Sequence, residues 1–251
     1  MQERIARIKQ YVQEKGEVKL FELEKIFPDI SVMTLRRDLK RLEEQGDVVL
    51  IKGGAKGISH LSRIKEEIYS KRSLENTAEK YQIAKKAFEY VEEGRSIFLD
   101  SGTTIMYLAQ LLEDKNLFIT TSAPNIALEC AKNPKATINL IGGTLSRENL
   151  SLSGINALSF LDNINIDIAF MAASGFSFKN GFTAGDFGEC EIKKRVISKA
   201  SKTIFLMDSS KFGKNMPFTF ARLSDIDLLI SDDKVSDEIV SKINSSTTII
   251  I

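Results

Sequence analysis

The 251-residue chain contains no tryptophan, one histidine, two cysteines and four prolines. With His60 alone beside Cys130 and Cys190, no Cys/His zinc cluster can be assembled, so no metal and no cofactor are expected. Two thiols sixty residues apart in sequence read as small buried hydrophobes in a reducing compartment. No basic, apolar and small-residue succession opens the chain. No apolar run approaches the roughly 20 residues of a membrane helix, so a cytoplasmic protein without a membrane partner is expected. Charge of one sign is also missing, since the net is +1. The distribution says more: residues 1–72 carry a net +4 and residues 73–251 a net −3. A basic front joined to a mildly acidic remainder permits nucleic-acid binding at the front.

What is present begins with three amphipathic stretches. Ile5, Ile8, Tyr11 and Val12 repeat at helical spacing until Gly16. Leu20, Leu23, Ile26 and Phe27 form a second apolar face. After "PDI", a third helix is expected, with Ser31 as N-cap and Gly46 just past its end. At about 100° per residue, Val32, Leu35, Leu39 and Leu42 make its apolar stripe. Met33, Arg37, Lys40 and Arg41 point the other way with Thr34 near them, and Arg36 and Asp38 flank the stripe. Such a helix anchors its back and offers guanidinium and ammonium groups to base edges and phosphates. The segment "DVVLIKGGAKG" then reads as a hairpin broken at Gly53-Gly54. A basic helix face alone more often means an ordinary solvated surface. The order helix, helix, turn, helix, hairpin favours a small winged helix-turn-helix domain.

Residues 57–75 mix charge with few apolar side chains and read as a linker, with His60 exposed and with Ile64, Ile68 and Tyr69 able to dock. The domains expected are therefore 1–56 for DNA binding, 57–75 as linker and 76–251 as an α/β domain. In the last of these, short apolar runs ("SIFLD", "LFITTS", "TINLIGG", "IDIAFMAASG", "TIFLMDSS", "DLLISDD", "TTIII") alternate with helical segments, the pattern of a parallel sheet covered on both faces. Polar and glycine residues collect just after the strands: Asp100, Ser101, Gly102, Thr103 and Thr104; Thr120, Thr121 and Ser122; Gly142 and Gly143; Ser174 and Gly175; Asp208 to Lys211. Ligands of open parallel sheets bind outside the carboxyl ends of the strands, and a helix starting at Thr103 offers unpaired amides to an anion. One such loop is an ordinary turn; five predict a pocket. Glu189 and Lys193 lead an otherwise apolar helical stripe with Ile192 and Val196, so a charged pair on the core side is expected, with an exposed i,i+4 ion pair as the alternative.

The segment "SVMTLRRDLKRLEEQGDVVLIKGGA" resembles the N-terminal signature of the DeoR-type bacterial transcriptional regulators, and "FLDSGTT", "LIGG", "DIAF", "DSSKFG" and "LSDIDLLISDD" resemble their C-terminal sensor domain. The resemblance implies a winged helix-turn-helix followed by a Rossmann-like α/β domain similar to ribose-5-phosphate isomerase. It implies a double-stranded DNA operator, a phosphorylated sugar or related anionic metabolite as effector, and a homo-oligomer. Ser31, Thr34, Arg36 and Arg37 map to its DNA-contacting helix, and Gly53, Gly54 and Ala55 to its wing. Met33, Lys40, Arg41 and Lys52 complete the DNA-binding set. The effector set is Asp100 to Thr104, Thr121, Ser122, Gly142, Gly143, Glu189, Lys193, Asp208 and Lys211.

Three departures stand out. "FPDIS" is one residue longer than the family's turn, Lys52 stands where histidine is usual, and Thr121 stands where asparagine is usual. The isomerases also carry an acidic Asp-Gly-Ala-Asp-Glu stretch where this chain reads "IDIAFMAASG", with Asp167 alone. The reading is thus a ligand-controlled regulator, a repressor of a carbohydrate operon, with no catalytic residue. The alternative is a sugar-phosphate isomerase or deaminase with a nucleic-acid-binding appendage and Glu189 as its base.

Overall fold

The computed structural model describes residues 2–45, 47–57 and 68–251. Two compact units result, Met1–Lys65 and Glu66–Ile251. Among the described residues no helix is long and apolar enough to cross a membrane. Gly46, His60, Ile64 and most of the expected linker lie outside the described residues.

The first unit holds α1 (Gln2–Lys15), β1 (Glu17–Lys19), α2 (Leu20–Ile26), α3 (Val32–Glu44), β2 (Val48–Ile51) and β3 (Gly54–Gly57). Gly16, at φ +84°, ends α1 and returns its amide to the Val12 carbonyl. Ser31 caps α3, its hydroxyl accepting from the Thr34 N–H at 3.3 Å. Ile8, Val12, Leu23, Leu35, Leu39, Leu42 and Val48 form the core, and Arg4 pairs with the buried Asp38 at 2.7 Å. Two features differ from the sequence reading. Val32 is exposed, because it is the first residue of α3 and the buried stripe begins only at Leu35. The hairpin also gains a third strand: β1 pairs antiparallel with β3, giving the order β1-β3-β2. A three-residue strand is too short to show its period of two.

The second unit begins with α4 (Tyr69–Leu74) and α5 (Thr77–Phe88). There follow β4 (Ser96–Leu99), α6 (Thr103–Gln110), β5 (Phe118–Thr121), α7 (Pro124–Cys130) and β6 (Thr137–Leu140). A hairpin, β7 (Thr144–Ser146) and β8 (Ser151–Ser153), leads to α8 (Ile155–Asp162) and β9 (Ile166–Met171). Next are β10 (Gly175–Ser177), β11 (Gly181–Ala184), α9 (Phe187–Lys199), β12 (Ala200–Leu206) and β13 (Phe218–Ala221). The chain closes with β14 (Leu228–Ile230), α10 (Asp237–Asn244) and β15 (Thr248–Ile250).

Seven of these strands form one parallel sheet in the order β6-β5-β4-β9-β12-β14-β15. Their apolar runs are continuous because both faces are buried. Ile97 and Leu99 point into a core with Ile83, Ala87, Ile105, Leu108 and Ile126, while Phe98 points into the opposite core with Leu161, Ile192, Val196 and Phe205. Cys130 and Cys190 lie in different cores, and burial pushes each thiol up to about 12. From β4 the chain builds outward through β5 to β6. It then returns to β9 on the other side of β4 and continues to β12, β14 and β15. The strand order therefore reverses between β4 and β9, the place where open α/β sheets form a crevice.

Candidate functional site

In the first unit, α3 turns one face to solvent. Ser31, Val32, Met33, Arg36, Arg37 and Lys40 are exposed on it, and Thr34 and Arg41 are half-buried at its edge. The Ser31 and Thr34 hydroxyls bond each other at 2.9 Å, which ties Thr34 to the cap. Lys52 is exposed in the turn between β2 and β3, beside Gly53 at φ +80°. Opposite, Leu35, Asp38, Leu39 and Leu42 fix the helix to its core.

In the second unit, five adjacent strands (β6, β5, β4, β9 and β12) send their carboxyl ends to one edge. The switch point carries the densest charge. Asp100, just past β4, is 1 % exposed; its Oδ1 accepts from the Ser101 N–H at 2.8 Å and its Oδ2 from the Ala172 N–H at 2.9 Å, across the β4–β9 gap. The Lys193 ammonium completes the arrangement. It donates to Asp100 Oδ2, to the Ala172 carbonyl at 3.1 Å and to Glu189 Oε1 at 3.0 Å. All three of its N–H donors are thus used, and Phe220 covers it at 5.3 Å. Burial alone would lower the Lys193 pKa, but Asp100 and Glu189 outweigh it and hold that pKa above its ordinary value. α9 presents this pair because Asp186 caps it: the Asp186 carboxylate accepts from the Glu189 N–H at 2.7 Å.

The other strand-end residues sit around this centre. Gly102 packs so closely on Ala172 that a Cβ would overlap the alanine methyl, and Thr103 and Thr104 start α6 nearly buried. The Thr121 hydroxyl accepts from the Ala123 N–H at 3.1 Å, and the Ser122 carbonyl accepts from the Leu152 N–H at 2.7 Å, which draws the β7–β8 hairpin over the edge. Gly142 and Gly143 are exposed at the base of that hairpin. Gly143, at φ +143°, lies against the Ser153 backbone, where a side chain has no room. Asp208, past β12, is 1 % exposed; Oδ1 accepts from Asn76 Nδ2 at 3.0 Å and from the Ser210 N–H at 3.1 Å, and Oδ2 is buried without a hydrogen-bond partner among the described residues. Lys211 ends the short turn that follows and is half-buried.

Several contributors were not read from the sequence. Arg72, on α4, donates to Asn149 Oδ1 at 3.3 Å, and Asn149 Nδ2 donates to Glu189 Oε2 at 2.8 Å. Asn149 is 3 % exposed in the β7–β8 turn, 77 residues from Arg72 and 40 from Glu189, and nothing local announces it. Lys80 was detectable. It shares the buried stripe of α5 with Ile83, Ala84 and Ala87, the same kind of signal that marks Glu189 and Lys193.

A family model described as the DeoR-like helix-turn-helix domain matches residues 4–60, and one described as the DeoR C terminal sensor domain matches residues 75–233. An HTH-type transcriptional regulator of Haemophilus influenzae is 36% identical over 215 residues, 85% of this chain and 83% of that protein. The HTH-type transcriptional repressor GlcR of Bacillus subtilis is 32% identical over 203 residues, 81% of this chain and 78% of its own. Among solved structures, ribose 5-phosphate isomerase A of Methanocaldococcus jannaschii aligns with 55% of this chain and 56% of its own, at 21% identity and a TM-score of 0.41.

Proposed function

Because the chain belongs to the DeoR family of helix-turn-helix transcriptional regulators, we propose that it is a repressor of a carbohydrate-metabolism operon that releases its operator when a phosphorylated sugar or related anionic metabolite binds the carboxyl edge of its parallel sheet. The observation that carries the reading is the switch point between β4 and β9. Polar groups from five adjacent strand ends surround a fully paired, buried Asp100–Lys193–Glu189 centre, on a chain that also carries an outward basic helix. The repressor sense is taken from the relative GlcR, named as one.

Ser31, Met33, Thr34, Arg36, Arg37, Lys40, Arg41 and Lys52 are the groups we assign to the operator. Ser101 to Thr104, Thr121, Ser122, Asp208 and Lys211 surround the effector, while Asp100, Glu189 and Lys193 hold the crevice in shape. The protein works in the cytoplasm as a homo-oligomer, since paired helix-turn-helix units read paired half-sites.

Sensing fits better than turnover. Asp167 lies at the amino end of β9, where its Oδ2 accepts from the Ser96 N–H at 2.8 Å, on the edge opposite the strand-end loops. Glu189 is already engaged by Lys193 and Asn149, which leaves it poorly placed as a proton-transfer base. Purified protein should therefore not interconvert pentose or amino-sugar phosphates. Turnover abolished by Glu189→Gln would overturn the assignment.

Two measurements test the remainder. Arg37→Ala should weaken operator binding by about 1–3 kcal/mol if Arg37 reads a base edge, and wild-type affinity should fall linearly with salt on a logarithmic scale. Unchanged operator retention by the variant, or a flat salt titration, contradicts the assigned face. In a thermal-shift panel of sugar phosphates, the effector should stabilise the protein by roughly 2.7 kcal/mol at a hundredfold excess over its Kd and release operator DNA at the same concentrations. A panel with no such compound rejects the sensing role.

A further inference from the structure

Lys80 holds its charge without a counter-ion in contact. It is 1 % exposed on α5, and its ammonium donates to two backbone carbonyls at the end of α4, those of Arg72 and, at 2.6 Å, Glu75. Among the described residues no carboxylate forms an ion pair with it. Burial lowers its pKa; Asp208 and Glu75 oppose this through space, and the nearby Lys211 and Arg72 add to it. A buried ammonium whose hydrogen bonds in contact go to carbonyl dipoles, with carboxylates acting on it only through space, is a group that a directly bound anion would stabilise.

The carbonyls belong to a strap. Residues 69–76 are tied along the carboxyl edge at several points. The Tyr69 N–H donates to the Glu148 carbonyl at 2.7 Å, and Arg72 donates to Asn149, which continues to Glu189. Asn76, at φ +51°, donates its Nδ2 to Asp208 Oδ1 at 3.0 Å and to Ser210 Oγ at 3.1 Å. Each tie ends on the β7–β8 hairpin or on a strand-end loop. In sequence, the strap lies on the stretch through which the chain passes from the helix-turn-helix unit into the second unit.

We propose that the anionic group of the effector, a phosphate, takes Lys80 away from the carboxyl end of α4 and thereby loosens the strap of residues 69–76. This rests on the sensing role above and adds to it the cation that meets the anion and the element that reports it. The α4 carbonyls hold two of the three N–H donors of Lys80, and a phosphate that draws the ammonium to itself competes for them. Each therefore weakens the other by an equal factor. A loosened strap lengthens the tether to the recognition helix, which lowers the effective concentration of a second helix at its half-site.

The test is amide hydrogen exchange on the full chain, with inorganic phosphate as probe and thermal shift in parallel. In the wild type, phosphate should raise the melting temperature and speed exchange in residues 69–76. Lys80→Met should show fast strap exchange without phosphate and no response to it. Asn76→Gly provides an arm that folds regardless, because glycine takes φ +51° without strain. It removes the tie to Asp208, so strap exchange should rise and the phosphate midpoint should fall roughly 2–10-fold, what one net hydrogen bond is worth. The proposal is overturned if phosphate protects the strap or fails to stabilise the wild type. A folded Lys80→Met that responds like wild type, or an unchanged midpoint in Asn76→Gly, also overturns it. A sugar phosphate that stabilises wild type and Lys80→Met equally leaves sensing intact and removes Lys80 from it; stabilisation by none of the panel fails sensing itself.

Discussion

Lys193→Met is expected to destabilise the second unit by about 3–5 kcal/mol, the loss that follows when one partner of a buried ion pair is removed. Methionine matches the lysine stem in length, so the cavity is small and the charge effect dominates. Asp100 and Glu189, both nearly fully buried, are left facing an apolar side chain. Asp100 keeps its two amide donors and Glu189 keeps Asn149, but both lose the Lys193 ammonium. Denaturant melting of the full chain should show an early transition for the second unit. The double variant Asp100→Asn/Lys193→Met removes the Asp100 charge left facing the methionine and should regain part of the loss, since residues in one network are not additive. A loss under about 1 kcal/mol in the single variant would place it among ordinary surface changes and refute a structural ion pair.

The same pair predicts a pH response of definite sign. The folded Lys193 pKa is raised by Asp100 and Glu189 in spite of burial. Its contribution is then fully present below the unfolded lysine value of about 10.4 and is lost as pH rises through the folded value. The stability gap between wild type and Lys193→Met should stay constant from neutrality to about pH 10 and narrow only above it. A gap that narrows between pH 7 and 9 would assign the stabilisation to another group.

Gly54→Ala should remove operator binding while leaving the melting of the second unit unchanged. Gly54 pairs with Lys19 across the β1–β3 ladder. A Cβ there would overlap the Val18 carbonyl oxygen and lie 2.9 Å from Lys19 Cα and 3.0 Å from Val18 C, all backbone atoms with no flexible end to give way. The same corner holds the start of α2, whose Leu20 N–H donates to the Gly53 carbonyl at 2.8 Å. Overpacking costs about 1–3 kcal/mol, sometimes more. The first unit is small, with a single core, and small domains have only a few kcal/mol in reserve. Operator affinity by fluorescence anisotropy should fall at least tenfold, an effect of roughly 1.4 kcal/mol or more. Gly53→Asn is the control: φ is +80°, nothing lies within 4 Å, and asparagine tolerates the left-handed region. A Gly54→Ala variant that binds like wild type would mean that the strand approach at β1 is dispensable.

Much of this molecule is legible in its residue order, for a reason that can be stated. Periodicity reports which face of an element is buried. It marked the outward set on α3, the apolar strands of the parallel sheet, and the inward position of Glu189 and Lys193. The errors lie where periodicity has too few residues to act. β1, β7, β8 and β10 are three residues each and lack the apolar run that marks the equally short β14 and β15, and Val32 stands at a helix end where the stripe has not yet met its core.

Periodicity also leaves open what a buried face will meet. That α9 turns a charged pair inward follows from the spacing of Glu189, Ile192, Lys193 and Val196. That the pair meets Asp100, 93 residues from Lys193, follows only from the return of the chain to β9 beside β4. The sequence by itself determined a division into two units, a basic outward helix face and a row of polar strand ends. The tertiary structure decided which strand ends are neighbours, tied the β7–β8 hairpin to the end of β5, and tied residues 69–76 to that hairpin and to the loop after β12. The reason is physical: local pattern sets burial through the hydrophobic effect, which is non-directional, whereas the partners of buried charges are chosen by chain topology.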